Sequence, residues 1–111
     1  MSVSKPNLPI STIVMSLRAM GLTVEDISYA THVAMATVSR AQRVDISEKS
    51  QEPLRILYDV LCPLQDSLPF NFIGKWFKNP DPALENAVPI DIYAGGDRET
   101  ILKTIAAFKG Y

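Results

Sequence analysis

Histidine and cysteine are almost missing from this chain. One cysteine, Cys62, and one histidine, His32, occur in 111 residues. A single cysteine excludes an internal disulfide and a cysteine-based zinc cluster. A single histidine excludes a histidine-pair metal site, or histidine-pair catalysis, within one chain. Cys62 lies in the apolar run Leu61-Cys62-Pro63-Leu64 and reads as a buried, inert thiol. No apolar run approaches the roughly 18 residues that a membrane-crossing helix needs. The first residues lack the pattern of a secretory signal, since Lys5 is their one cation before Arg18 interrupts the apolar residues. The expected compartment is therefore the cytoplasm, with no membrane partner. An excess of either charge is also lacking, with 11 Lys and Arg against 12 Asp and Glu, a net charge of -1. DNA-binding domains are mostly basic, because phosphate neutralisation dominates their affinity. The balance argues against strong, autonomous DNA binding. It is compatible with weak binding, with binding as a dimer, or with a fold kept for another purpose.

What is present is apolar and helical. Hydrophobic residues make up 47% of the chain, enough for one compact domain or two small lobes sharing a core. Ile10, Ile13, Val14, Leu17 and Met20 recur at helical spacing, and Gly21 supplies a stop. Thr23 followed by Asp26 reads as the N-cap of a second helix that buries Val24, Ile27 and Ala30 and ends near Thr31-His32. A third helix is expected over about 34–43, with Val38 and Ala41 inward. Ser50 is a candidate cap for a fourth, with Pro53 in its first turn, a stripe of Leu54, Leu57, Tyr58 and Leu61, and Pro63 closing it. A fifth, about 70–78, is apolar on most sides, which is expected of a helix buried between others. Asn79-Pro80-Asp81-Pro82 makes a rigid turn. A short helix over about 89–93, the break at Gly95-Gly96 and a last helix capped by Asp97 complete the chain. That last helix directs Ile101, Leu102, Ile105 and Phe108 inward. The fold class is all-α.

Residues 23–43 have the pattern of a helix-turn-helix. Ser28 is the small residue needed where a second helix crosses closely. His32 stands four positions on, where the turn requires positive φ, and Val33 and Val38 lock the two helices together. The turn usually holds glycine, and the usual serine cap is here Ala34. Histidine tolerates positive φ better than most residues do. Candidate DNA contacts are Met35, Thr37, Ser39, Arg40, Gln42 and Arg43. Short hydroxyl side chains suit phosphates and base edges, and Arg40 and Arg43 are the cations. Asp45 and Glu48 follow closely and offset them. A helical hairpin that merely packs is the alternative.

No chemistry of catalysis can be assembled. No nucleophile–base pair, metal cluster or cofactor loop is present. Asp91, Asp97 and Glu99 surround Gly95-Gly96, but capping and a solvated face account for them. The glycine pair lacks the spacing and lysine of a phosphate loop. No enzyme activity, catalytic residue, metal or cofactor is expected.

Behind the helix-turn-helix comes Trp76-Phe77-Lys78-Asn79-Pro80-Asp81-Pro82-Ala83-Leu84, then Pro89-Ile90-Asp91-Ile92, then Gly95-Gly96 leading to Ile101-Leu102. In this order and spacing the chain resembles antitoxins of the MbcA/ParS/Xre family. Their second half carries a tryptophan-led helix, an Asn-Pro-x-x-x-Leu turn, a Pro-hydrophobic-Asp segment and a glycine-preceded final helix. The likeness runs from about residue 10 to 111. It departs at His32, at Ala34, and at Val88, where arginine, lysine or threonine is common.

The resemblance implies an Xre-like helix-turn-helix domain over 1–64 and a C-terminal toxin-binding domain over 65–111. It implies neutralisation of a RES-type toxin, an enzyme that consumes or transfers from NAD, by occlusion of its active site. It further implies a homodimer or a higher hetero-oligomer with toxin, and repression of the operon through operator DNA. The end of the chain, Phe108-Lys109-Gly110-Tyr111, is the candidate toxin-binding segment. An aromatic side chain beside a lysine suits insertion into a cleft, and a terminal carboxylate suits an anion subsite. A terminus without a role is the alternative there, as a stand-alone regulator with a C-terminal dimerisation region is for the whole chain.

Overall fold

The computed structural model describes residues 8–109, and side chains up to residue 108. Seven α-helices fill it, with three short 3-10 turns. Its single β-type pairing is an isolated bridge between Asp81 and Ala87. The all-α expectation holds. No helix among the described residues is long and apolar enough to cross a membrane.

Helix α1 (Ile10–Ala19) forms because Ile10, Ile13, Val14 and Leu17 fall on one face, and all four are buried. Gly21, at φ 106°, turns the chain sharply after it. Helix α2 (Val24–Thr31) opens on a reciprocal cap. The Asp26 N–H donates to Thr23 Oγ1 at 3.0 Å, and the Thr23 N–H donates to Asp26 Oδ2 at 2.9 Å. Helix α3 (Met35–Ala41) is short and has no side-chain cap at Ala34.

Helix α4 (Glu48–Leu61) starts earlier than its sequence suggests. Ser47, not Ser50, is its N-cap, and the Ser50 N–H donates to the Ser47 hydroxyl. Pro53 is therefore inside the helix rather than in its first turn. Lacking an N–H, it cannot bond the Lys49 carbonyl. Pro63 does not end the helix alone; the chain tightens into a 3-10 turn over Cys62–Asp66. Cys62 is half-buried rather than buried, with the Gln65 amide donating to its Sγ at 3.2 Å.

The expected helix over 70–78 is two pieces, a 3-10 turn at Phe70–Phe72 and then α5 (Ile73–Phe77). Ile73, Gly74 and Phe77 are buried, but Phe72 is 50% exposed, so this segment is not buried on all sides. Gly74 explains how it docks. Its N–H donates to the Met20 carbonyl at 2.7 Å, and a Cβ there would come within 2.7 Å of the same oxygen. Backbone meets backbone where α5 abuts the end of α1.

Helices α6 (Pro89–Ala94) and α7 (Arg98–Lys109) close the molecule. Helix α6 packs on α2 and α7, and α7 lies over α4 and the Cys62–Asp66 turn. Ile101 and Ile105 point inward as expected, but Leu102 is 47% exposed and belongs to the outer face. Residues from both expected domains join one core. Leu17, Leu57 and Leu61 meet Ile73, Phe77 and Ile101 in a single cluster.

Candidate functional site

Two surfaces carry the candidate residues. The first is the α2–α3 unit. His32 ends α2 at φ 63°, ψ 18°, the left-handed conformation expected of the turn. Three bonds hold that turn. The Ser28 hydroxyl donates to the Val33 carbonyl at 2.6 Å, the Thr31 hydroxyl to the Ile27 carbonyl at 2.7 Å, and the Val33 N–H to Thr31 Oγ1 at 3.3 Å. Val33 and Val38 are buried between the helices.

Helix α3 ends at Ala41 and not near 43, so Gln42 and Arg43 follow it, and the six candidates separate into three groups. Met35, Arg40 and Arg43 are exposed, Met35 at 50%. Thr37 and Ser39 are half-buried at the edges of the helix. Gln42 is engaged within the protein: its Nε2 donates to the Ser39 carbonyl at 3.0 Å, and its Oε1 accepts from Arg18 Nη1 at 2.7 Å. Sequence reasoning missed Arg18, whose only visible signal was its place near the end of α1.

This unit is tied to the C-terminal half. The Tyr29 hydroxyl donates to Asp91 Oδ1 at 2.6 Å, a bond that raises the tyrosine pKa above its ordinary value. His32 Nε2 lies 2.8 Å from the Ala94 carbonyl. A carbonyl only accepts, so Nε2 carries the proton. Lys78 reaches Asp26 at 2.8 Å.

The second surface surrounds the end of α7. Trp76 is its anchor. Its indole N–H donates to Asp81 Oδ2 at 2.8 Å, while Asp81 Oδ1 accepts from the Ala83 N–H at 2.8 Å. One carboxylate thus fixes both the tryptophan and the Asn79–Leu84 turn. Trp76 stacks on Phe77 at 6.2 Å and receives Phe108 edge-on at 5.6 Å. Asp97 caps α7, accepting from the Thr100 N–H at 3.1 Å and from its hydroxyl at 2.6 Å. Those bonds hold its carboxyl below the usual range. Between the turn and α7 lies an open cleft of about 350 Å³, lined by Asp81, Ala83, Lys103, Thr104, Ala107 and Phe108.

Of the four candidate toxin contacts, Phe108 is half-buried at the lip of this cleft and packs on Trp76. The Lys109 side chain, Gly110 and Tyr111 lie outside the described residues. Among the described residues, no group of three or more His, Cys, Asp or Glu is placed to hold a metal ion.

The class these features define is an all-α fold in which a tight two-helix unit and a tryptophan-anchored C-terminal region share one core. A solved structure has this fold. A chain of the crystal structure of the M. tuberculosis MbcT-MbcA toxin-antitoxin complex superposes with a TM-score of 0.75. The two chains are 24% identical, and the likeness covers 93% of this chain and 95% of that one. The fold implied by the sequence resemblance is the fold found. No family model and no curated protein matches the sequence.

Proposed function

We propose that this chain is the antitoxin of a type II toxin–antitoxin pair. It neutralises a RES-type, NAD-targeting toxin by binding it and occluding its active site. The observation that carries this reading is the shared fold, over nearly the full length of both chains, with a component of a toxin–antitoxin complex. The C-terminal surface supplies what such binding needs. The final helix bears an exposed leucine, Leu102, and exposed Ala106 and Ala107, and it leads to Phe108 beside an open cleft. Such a surface binds by apolar burial, and no assembled catalytic group is involved. Co-expression with a RES-type toxin, sought first in a neighbouring gene, tests the reading. The two chains should co-purify, and cellular NAD should stay at its normal level only when this chain is present. A chain that never captures the toxin overturns it.

A DNA-binding role accompanies the first. The α2–α3 unit has the turn geometry of a helix-turn-helix, and it exposes Met35 and Arg40 on one short helix and Arg43 in the turn just after it. In this reading, α3 enters a major groove and the protein represses its own operon as a dimer or as a larger assembly with toxin. Titration against its own promoter at several salt concentrations tests it. Absence of binding at low salt sets it aside without touching the antitoxin reading.

A further inference from the structure

Arg18 is the only charged residue of α1. Its Nη1 donates to Gln42 Oε1 at 2.7 Å, and the Gln42 amide is held in that orientation because its Nε2 donates to the Ser39 carbonyl. The arginine is thus seated against α3, 24 residues away in sequence, by a neutral acceptor. A neutral amide fixes the guanidinium without cancelling its charge. Lys78 and Arg55, by contrast, are engaged within the protein. Lys78 is paired with the Asp26 carboxylate, and Arg55 donates to the Leu8 carbonyl and to Gln51. Arg18 is exposed and keeps most of its five N–H donors for an outside acceptor.

Its place is as telling as its charge. Helical spacing aligns Met35, Ser39 and Gln42 along one stripe of α3, so the guanidinium borders that stripe, with Arg43 one residue beyond Gln42. Beside it runs an open groove of about 380 Å³, in which the polar Ser11, Thr12, Ser16 and Gln42 alternate with the apolar Met15, Ala19 and Phe70. No carboxylate lines this groove. A planar guanidinium at the edge of a groove without a carboxylate in its lining matches the oxygens of a phosphodiester.

We propose that Arg18, seated on Gln42 at the edge of α3, is a backbone-phosphate contact for duplex DNA. The proposal rests on the reading of α2 and α3 as a DNA-contacting unit. It adds a third cation to Arg40 and Arg43, from a different helix, and assigns Gln42 to positioning Arg18 rather than to reading a base. A phosphate contact adds affinity for every sequence alike and steepens the salt dependence.

The test uses the full-length chain and two fluorescein-labelled duplexes of about 30 base pairs. One is the region upstream of its own coding sequence, and the other is a shuffled duplex of equal composition. Anisotropy titrations run from about 50 to 200 mM salt. R18A should weaken binding to both duplexes to the same degree, by about threefold to tenfold, and lower the salt slope by about 1 per bound protomer. Q42A should shift affinity in the same direction by less. Wild-type binding with unchanged affinity and slope in R18A overturns the proposal and leaves the DNA reading standing. If the wild-type chain binds neither duplex at the lowest salt, both fall. Should R18A misfold by circular dichroism, R18K and R18M decide: a slope kept by lysine and lost by methionine supports the contact, and equal slopes refute it.

Discussion

His32 Nε2 lies 2.8 Å from the carbonyl oxygen of Ala94, joining the turn between α2 and α3 to the end of α6 across 62 residues of sequence. A glycine would adopt the same backbone more easily but could not make this bond. The turn therefore holds a residue that tolerates positive φ and also fastens the two halves of the molecule together. Tyr29 and Asp91 make a second tie between the same two helices.

This double role can be separated by substitution. His32→Ala retains the left-handed strain and loses the bond, so it should cost about 1–2 kcal/mol. His32→Gly relieves the strain and loses only the bond, so it should be the milder of the two. Urea unfolding of both variants checks the order; H32G being the more damaging would remove the argument from strain.

Gly74 should be intolerant of any side chain. Its Cβ position is within 2.7 Å of the Met20 carbonyl and 2.8 Å of the Gly21 carbonyl carbon, both backbone atoms that no rotamer change can move. Gly74→Ala should destabilise by about 1–3 kcal/mol, the range for overpacking a core contact, despite the gain in helix propensity. A thermal melt of G74A at or above wild type would contradict the docking geometry.

Asp26 predicts the acid limb of the stability curve. Burial raises its pKa, but the bonds from Lys78 and from Thr23 outweigh burial and hold it below its ordinary value. A carboxyl depressed in the folded chain contributes stability that is fully present above its unfolded pKa, about 3.9, and is lost as pH falls through the folded value. The stability gap between wild type and Asp26→Asn should be constant near neutrality and narrow below about pH 4. Denaturant unfolding across that range reads it. A gap that widens toward acid would reverse the sign.

The end of the chain can be tested by truncation under the antitoxin reading. Removing Lys109 to Tyr111 should leave the thermal melt nearly unchanged and weaken toxin inhibition by at least about tenfold, the loss expected of an aromatic anchor. Phe108→Ala differs, because Phe108 packs edge-on against Trp76. It should lower both inhibition and stability, the latter by about 1 kcal/mol. Undiminished inhibition by the truncated chain would move the toxin contact elsewhere.

Arg40→Ala should weaken promoter binding and flatten its salt dependence, since Arg40 is an exposed cation of α3. Affinity equal to wild type at all salt concentrations would take α3 out of the DNA reading.

Much of the architecture was legible because its signals are local. Thr23 with Asp26, and Asp97 with Thr100, are caps completed within three residues, so each helix start is written where it occurs. The positive φ at His32 follows from a turn whose spacing is set by the two helices beside it. Ser47 and Ser50 show the limit. Both can cap, and their hydroxyls lie 3.2 Å apart, but only the packing of α4 selects the earlier one. The candidate surfaces were half-legible for the same reason. Arg40 and Arg43 could be named from their place on or just after a helix, while Gln42 could not be recognised as occupied, since its partner Arg18 is on another helix.

The sequence alone determined the helical class, the order of the helices, and the turns at Gly21, His32 and Asn79-Pro80. Those follow from period, capping and composition, which act over one or two helical turns. The tertiary structure decided which faces are left outside. Phe72 and Leu102 are as apolar as Phe77 and Ile101, yet they are exposed, because the shared core lies against the other side of each segment. It also decided that Arg18 meets Gln42, that His32 meets Ala94, and that Gly74 lets α5 touch the backbone of the α1–α2 turn. These contacts depend on where separate helices come to rest. That is set by how their side chains fill a shared core, and it is not encoded in the spacing within any one of them.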